Sequence, residues 1–121
     1  MEYTIGKAAE AVGLTTYTLR YYEKEGLLPE IKRDKQGIRI FNEKDLSWIG
    51  LIRCLRNTGM SISDIKYILD LIREGEHTLP ERIEILKSHK KKVQMQMEEL
   101  QAHIDKIDKT LDWYSDKNRN Y

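Results

Sequence analysis

One cysteine, Cys54, is all the chain carries among its 121 residues. No disulfide can close within a single copy, so a reducing, cytosolic setting is expected. No run is long and apolar enough to cross a bilayer, which takes about 20 such residues in a helix. The first residues lack the apolar core of a signal peptide. The expectation is therefore a soluble intracellular protein without a membrane partner. Strong net charge is missing too: 21 Lys and Arg stand against 20 Asp and Glu, a formal charge of +1. Glycine-rich phosphate loops, paired carboxylates in a recognisable setting and nucleophile–base motifs are absent, which argues against an enzyme and against a cofactor. The histidines His77, His89 and His103 lack tight ligand spacing, so no metal site is expected.

What is present is helical patterning. Ile5, Ala8, Ala9 and Val12 recur at helical spacing, with Thr4 as N-cap and Gly13 as the stop. Thr15 caps a second helix running to about Glu25, where Gly26 and Pro29 end it. Helix, short glycine turn, helix is the helix-turn-helix unit. Glu30–Arg33 and Ile38–Phe41 flank Asp34-Lys35-Gln36-Gly37, a pattern that predicts a hairpin wing. Asn42 and Asp45 cap a third helix through about Asn57, and Gly59 ends it. Ser61 and Asp64 cap a fourth, carrying Ile62, Ile65, Ile68, Leu69 and Ile72 and closed by Gly75.

Charge is local rather than global. Lys32, Arg33, Lys35 and Arg39 lie between Ile31 and Phe41 against a lone Asp34, a compact basic patch. In the second helix Tyr17, Arg20 and Tyr21 share a face, while Leu19 and Tyr22 point more toward the core. Arginine and tyrosine on an exposed helix suit phosphate oxygens, whereas base edges would be met from the helix start, at Thr15, Thr16 and Tyr17. An ordinary amphipathic surface helix is the alternative, and a solvated loop is the alternative for Lys35 and Arg39, which are expected at or near the hairpin tip. The combination favours double-stranded DNA, with Thr4, Thr15, Thr16, Tyr17, Arg20, Tyr21, Tyr22, Lys35 and Arg39 as candidate contacts.

The last segment opens on Thr78-Leu79-Pro80-Glu81, read as a capping box with proline in the first turn. A seam follows at alternating steps of three and four: Ile83, Leu86, Lys90, Val93, Met97, Leu100, Ile104, Ile107, Leu111 and Tyr114, apolar except at Lys90. A sustained 3.5-residue period predicts a coiled coil, about 48 Å long at 1.5 Å per residue. The seam could fold back on the earlier helices, but it outruns a head of that size. The same helix of a second copy is the expected partner.

This order of elements, with Arg20-Tyr21-Tyr22-Glu23, the wing around Gly37-Ile38-Arg39 and the run Gly59-Met60-Ser61-Ile62, resembles the MerR family of bacterial transcription regulators. The resemblance spans the whole chain. It implies a mainly α protein: a winged helix-turn-helix head of four helices plus a β-hairpin over residues 1–75, an antiparallel coiled-coil dimerisation helix over 78–115, and a short polar tail over 116–121. It further implies a homodimer on a palindromic promoter operator, serving RNA polymerase by bending and untwisting an overlong spacer. With so short a tail no drug-binding domain is expected, nor is metal sensing, since the cysteines of the metal-sensing branch are missing. The surroundings of Cys54, from Ile52 to Ser61, are similar to the small branch named for AdhR and NmlR, which implies a response to reactive aldehydes through that thiol. Arg53 and Arg56 flank it, and nearby cations favour thiolate. Ser47, Gly50, Cys54 and Asn57 form a stripe of small residues that another helix could approach. A small buried hydrophobe is the plainer reading of such a cysteine.

Overall fold

The computed structural model describes residues 1–119. It contains α1 (Ile5–Val12), α2 (Thr16–Lys24), β1 (Lys32–Arg33), β2 (Arg39–Ile40), α3 (Glu43–Asn57), α4 (Ile62–Glu74), a 3-10 turn over Glu76–Thr78, and α5 (Leu79–Arg119). Two compact units result, Met1–Arg82 and the part of the chain from Ile83 onward. The winged helix-turn-helix architecture expected from the sequence is the one observed.

Each short helix of the first unit begins on a side-chain cap. Thr4 Oγ1 accepts from Lys7 N, Thr15 Oγ1 from Thr18 N, and Ser61 Oγ from Asp64 N, at 3.1–3.2 Å. At α3 the arrangement is reciprocal: Asp45 N donates to Asn42 Oδ1 and Asn42 N donates to Asp45 Oδ2, forming a full capping box. Gly13 ends α1 at φ +72°, a left-handed conformation that a side chain rarely adopts. A Cβ at that position would lie 2.5 Å from Arg53 Nη1.

The core of this unit sits where α1 to α4 meet. Ala8, Ala9, Leu19, Tyr22, Leu27, Phe41, Ile49, Ile52, Ile65 and Ile68 are buried there. In α4 the inward set is Ile65, Ile68, Leu69 and Leu71; Ile72, expected among them, is exposed. Burying a large aliphatic side chain is worth about 1.5–3 kcal/mol, so the apolar faces of these helices outweigh their short lengths. The hairpin is shorter than the sequence predicts. Only Lys32 with Ile40 and Arg33 with Arg39 pair as strands, and a bridge from Tyr3 to Phe41 ties the N-terminus alongside.

The capping box expected at Thr78 and Glu81 does not form. Gly75 breaks the chain at φ +126° and the 3-10 turn runs directly into α5, so Thr78 lies inside a continuous helical path. Its buried hydroxyl turns back to the carbonyls of Leu71 and Gly75, 2.7 Å from each, and accepts from Arg82 Nε at 3.0 Å. Glu81 instead takes the Tyr67 hydroxyl at 2.5 Å. That hydrogen bond to a carboxylate raises the tyrosine's pKa above its ordinary value. Carbonyls exposed by the glycine break needed a donor, and the nearest hydroxyl supplied it.

In the second unit, α5 carries its apolar seam on the surface of the single chain. Ile83, Leu86, Met97, Leu100, Ile104, Ile107, Leu111 and Tyr114 are all exposed, and Val93 is half-buried. The helix continues through Arg119, into the segment expected as a polar tail; the last two residues of that tail lie outside the described residues.

Candidate nucleic-acid interface

The turn between α1 and α2 is short because Gly13 reverses the chain and Leu14 N closes onto Ala9 O at 2.9 Å. Arg53 of α3 reaches over and donates to Val12 O at 3.0 Å, bracing the same turn. Helix α2 thus leaves a fixed point. Leu19 and Tyr22 anchor it in the core; Tyr22 is 7% exposed. The opposite face is open, with Tyr17 78% exposed and Arg20 and Tyr21 beside it. Thr15, Tyr17, Arg20 and Tyr21 therefore line one accessible face, and Thr16 is half-buried at its edge. Thr4 is accessible as the cap of α1.

Tyr22 points toward the core, as its position beside Leu19 implies. Its ring belongs to the core, and burial pushes its pKa up. Its neighbour Tyr21, with ring centroids 6.3 Å apart, stays at the surface.

The wing tip is built by Asp34. Its Oδ1 accepts from Gln36 N and Ile38 N, both at 2.9 Å, while its carbonyl takes Gly37 N at 3.0 Å. Gly37 adopts φ +81°, and Arg33 Nη1 donates to its carbonyl at 2.7 Å. Lys35 and Ile38 are left projecting from this tip.

Arg39, another candidate contact, has a partner within the chain. It lies on β2 with its guanidinium turned toward α2, where Nε and Nη2 donate to Glu23 Oε1 at 2.8 and 2.6 Å. That hydrogen bond holds the guanidinium still more firmly protonated. With side chains 28% and 31% exposed, this pair joins the wing to the helix rather than offering a free cation.

Three contributors escaped the sequence reading. Glu23 is one. Trp48 Nε1 donates to Leu27 O at 2.7 Å, and Arg73 Nη2 donates to Leu28 O at 3.1 Å. Together they hold the loop that carries the chain from α2 into the wing. Pro29 marked this loop as a turn, but nothing local marks an indole twenty-one residues away as its anchor.

Cys54 lies on the outward side of α3 and is exposed, as are Ser47 and Asn57, with Gly50 half-buried between them. The buried-hydrophobe alternative therefore fails for the single chain. The flanking cations are committed elsewhere: Arg53 to Val12 O and Arg56 Nη1 to Met60 O at 3.1 Å.

Residues 3–72 match the MerR HTH family regulatory proteins, and residues 46–110 match the MerR DNA-binding family. The chain belongs to the MerR family. An uncharacterised HTH-type transcriptional regulator of Haemophilus influenzae is 45% identical over 114 residues, 94% of this chain and 84% of that protein. The transcriptional regulator AdhR of Bacillus subtilis is 42% identical over 89 residues, covering 74% of this chain and 64% of that protein. Among solved structures, that of HiNmlR, a MerR family regulator lacking the sensor domain and bound to promoter DNA, superposes with a TM-score of 0.86. It shares 44% identity and covers 95% of this chain and 91% of that one. This MerR family chain is a DNA-binding transcriptional regulator; members of the family are regulators rather than enzymes. Among its described residues no helix is long and apolar enough to cross a membrane.

Proposed function

We propose that the chain acts as a homodimer on a palindromic promoter operator, each head placing the open face of α2 in the major groove. The observation that carries this is the alignment of Tyr17, Arg20 and Tyr21 on one exposed face beside a wing tipped by Lys35. Thr15 and Thr16 meet base edges, Arg20 and the tyrosine hydroxyls hold phosphates, and Lys35 reaches the flanking backbone or minor groove. The exposed seam of α5, from Ile83 to Tyr114, supplies the antiparallel dimer contact. Two heads held this way bend and untwist the spacer for RNA polymerase, at a deformation cost on the order of 1–6 kcal/mol that added phosphate contacts offset.

The effector reading is a reactive aldehyde or related electrophile acting at Cys54. Support comes from the likeness to the small AdhR- and NmlR-like branch and from the thiol's exposure on a stripe of small residues. An adduct of even one carbon at a close helix contact overpacks it, typically by 1–3 kcal/mol, comparable to common allosteric couplings. A second reading, a non-covalent ligand with Cys54 inert, draws on the engagement of Arg53 and Arg56 with backbone carbonyls.

The test is intact mass of the reduced protein after brief formaldehyde or methylglyoxal, beside Cys54→Ala, followed by operator transcription. A selective adduct at Cys54, with operator binding retained and the response lost in the variant, supports the thiol sensor. A variant that still responds normally removes the sensor and leaves the regulator. Failure to select any duplex by salt-sensitive binding removes the operator reading itself.

A further inference from the structure

At the root of the wing the first unit carries a groove of about 750 Å³, set between the end of α2, the loop into the wing, β1 and the end of α4. That volume falls within the roughly 300–1,000 Å³ of small-molecule clefts. Neither the open face of α2 nor Lys35 at the wing tip contributes to it. Its apolar part is Leu28, Pro29 and Ile31, of which Leu28 and Ile31 are buried and Pro29 is half-buried.

The charges on its walls are unevenly compensated. Arg33 Nη1 donates to the Gly37 carbonyl at 2.7 Å, and Arg73 Nη2 donates to the Leu28 carbonyl at 3.1 Å. A neutral carbonyl fixes a guanidinium in place without cancelling its charge. Asp70 lies 3.7 Å from Arg73 Nη1, in an exposed pair of little worth. Lys32 is exposed and has no ion pair among the described residues. Of the two carboxylates that line the groove, Glu23 already holds Arg39. Only Glu30 is left to answer Lys32, Arg33 and Arg73. Surplus positive charge beside buried aliphatic carbon is complementary to an amphiphilic anion, whose head meets the cations and whose body covers the carbon.

We propose that this groove binds a small organic carboxylate with an apolar body, and that its occupant steadies the wing against α2. One occupant bridges walls on α2, β1 and α4, so displacing the wing costs its contacts as well as the Arg39–Glu23 pair. An operator gripped by the docked wing and the open face of α2 together favours the same arrangement. Carboxylate and operator then strengthen each other by the same factor. The groove thus gives the non-covalent effector reading a site and a ligand class, and its effect on DNA rests on the operator reading proposed above.

The experiment titrates the full, isotope-labelled chain with benzoate at constant ionic strength, following amide resonances, with benzylammonium as the cationic counterpart. Benzoate is expected to shift the amides of Leu28 and of Glu30 to Arg33 saturably, and benzylammonium to leave them in place. Lys32→Gln should weaken benzoate binding about threefold, the worth of one exposed ionic contact, and Glu30→Gln should strengthen it by a similar factor. Absence of saturation at the groove, equal binding of benzylammonium, shifts that gather instead at the lysines of α5, or an affinity indifferent to both substitutions overturns the site. The second readout is operator affinity by anisotropy, expected to rise about fivefold with saturating benzoate. A chain that binds benzoate in the groove and the operator with unchanged affinity overturns the steadying of the wing. A chain that selects no duplex at all removes the operator reading, and the site then stands or falls by the titration.

Discussion

At the residue scale the decisive feature is where cations spend their charge. Arg39, Arg53, Arg56 and Arg73 all look like solvent-facing arginines in the sequence, yet each donates to a specific protein acceptor. In the proposed complex Arg20 and Lys35 remain for the DNA-facing side. The sequence could not make this division because every one of those acceptors except the carbonyl of Met60 is at least sixteen residues away. The Arg39–Glu23 pair is the most consequential, since it couples the wing to α2. About one-third exposed, it is partly screened, so its worth is about 1 kcal/mol rather than several. A double-mutant cycle of Glu23→Ala and Arg39→Ala in urea unfolding should return a coupling of about that size. A free phosphate ligand at Arg39 would instead give no coupling, and Glu23→Ala would leave stability unchanged.

At the element scale, helix beginnings were legible wherever the signal was local. Thr4, Thr15, Asn42 and Ser61 all cap as their spacing implies, because an N-cap hydroxyl or amide reaches only three residues ahead. The hairpin's existence was equally legible from Asp34 to Gly37, though its strands proved shorter. Thr78 shows where such reading stops. It has the residues of a capping box, but the glycine break at Gly75 presents buried carbonyls that compete for its hydroxyl. Tertiary demand overrides a local motif here, and α4 becomes joined to α5 through Thr78 and Arg82 instead of by a clean stop and start. Thr78→Val keeps the shape and removes the hydroxyl. The Leu71 carbonyl then keeps only Gly75 N, at 3.3 Å, and Arg82 keeps only the Gly75 carbonyl, at 3.3 Å from Nη2. A loss of about 0.5–1.5 kcal/mol in unfolding free energy is expected; an unchanged midpoint would show the junction to be held by packing alone.

At the scale of the whole molecule, a formal charge of +1 provides no long-range attraction for DNA. Affinity must come from a few cations on one face, which the proposed homodimer would present twice. Among the candidates, Arg20 is exposed, sits on the open side of α2 and has no ion pair among the described residues. Tyr22 has its ring in the core and Arg39 is paired with Glu23. Each phosphate neutralised on B-DNA contributes about 0.9 to the slope of log affinity against log salt. Arg20→Ala in a dimer removes two such contacts, so the slope should fall in magnitude by roughly two units, with affinity lowered on every duplex to a similar extent. Anisotropy titrations over a range of salt on a selected operator and on a scrambled duplex measure both quantities. An unchanged slope with selectivity lost would instead place Arg20 at a base edge and move the phosphate contacts to the tyrosines and the wing. An unchanged slope with unchanged affinity would take the open face of α2 off the DNA altogether.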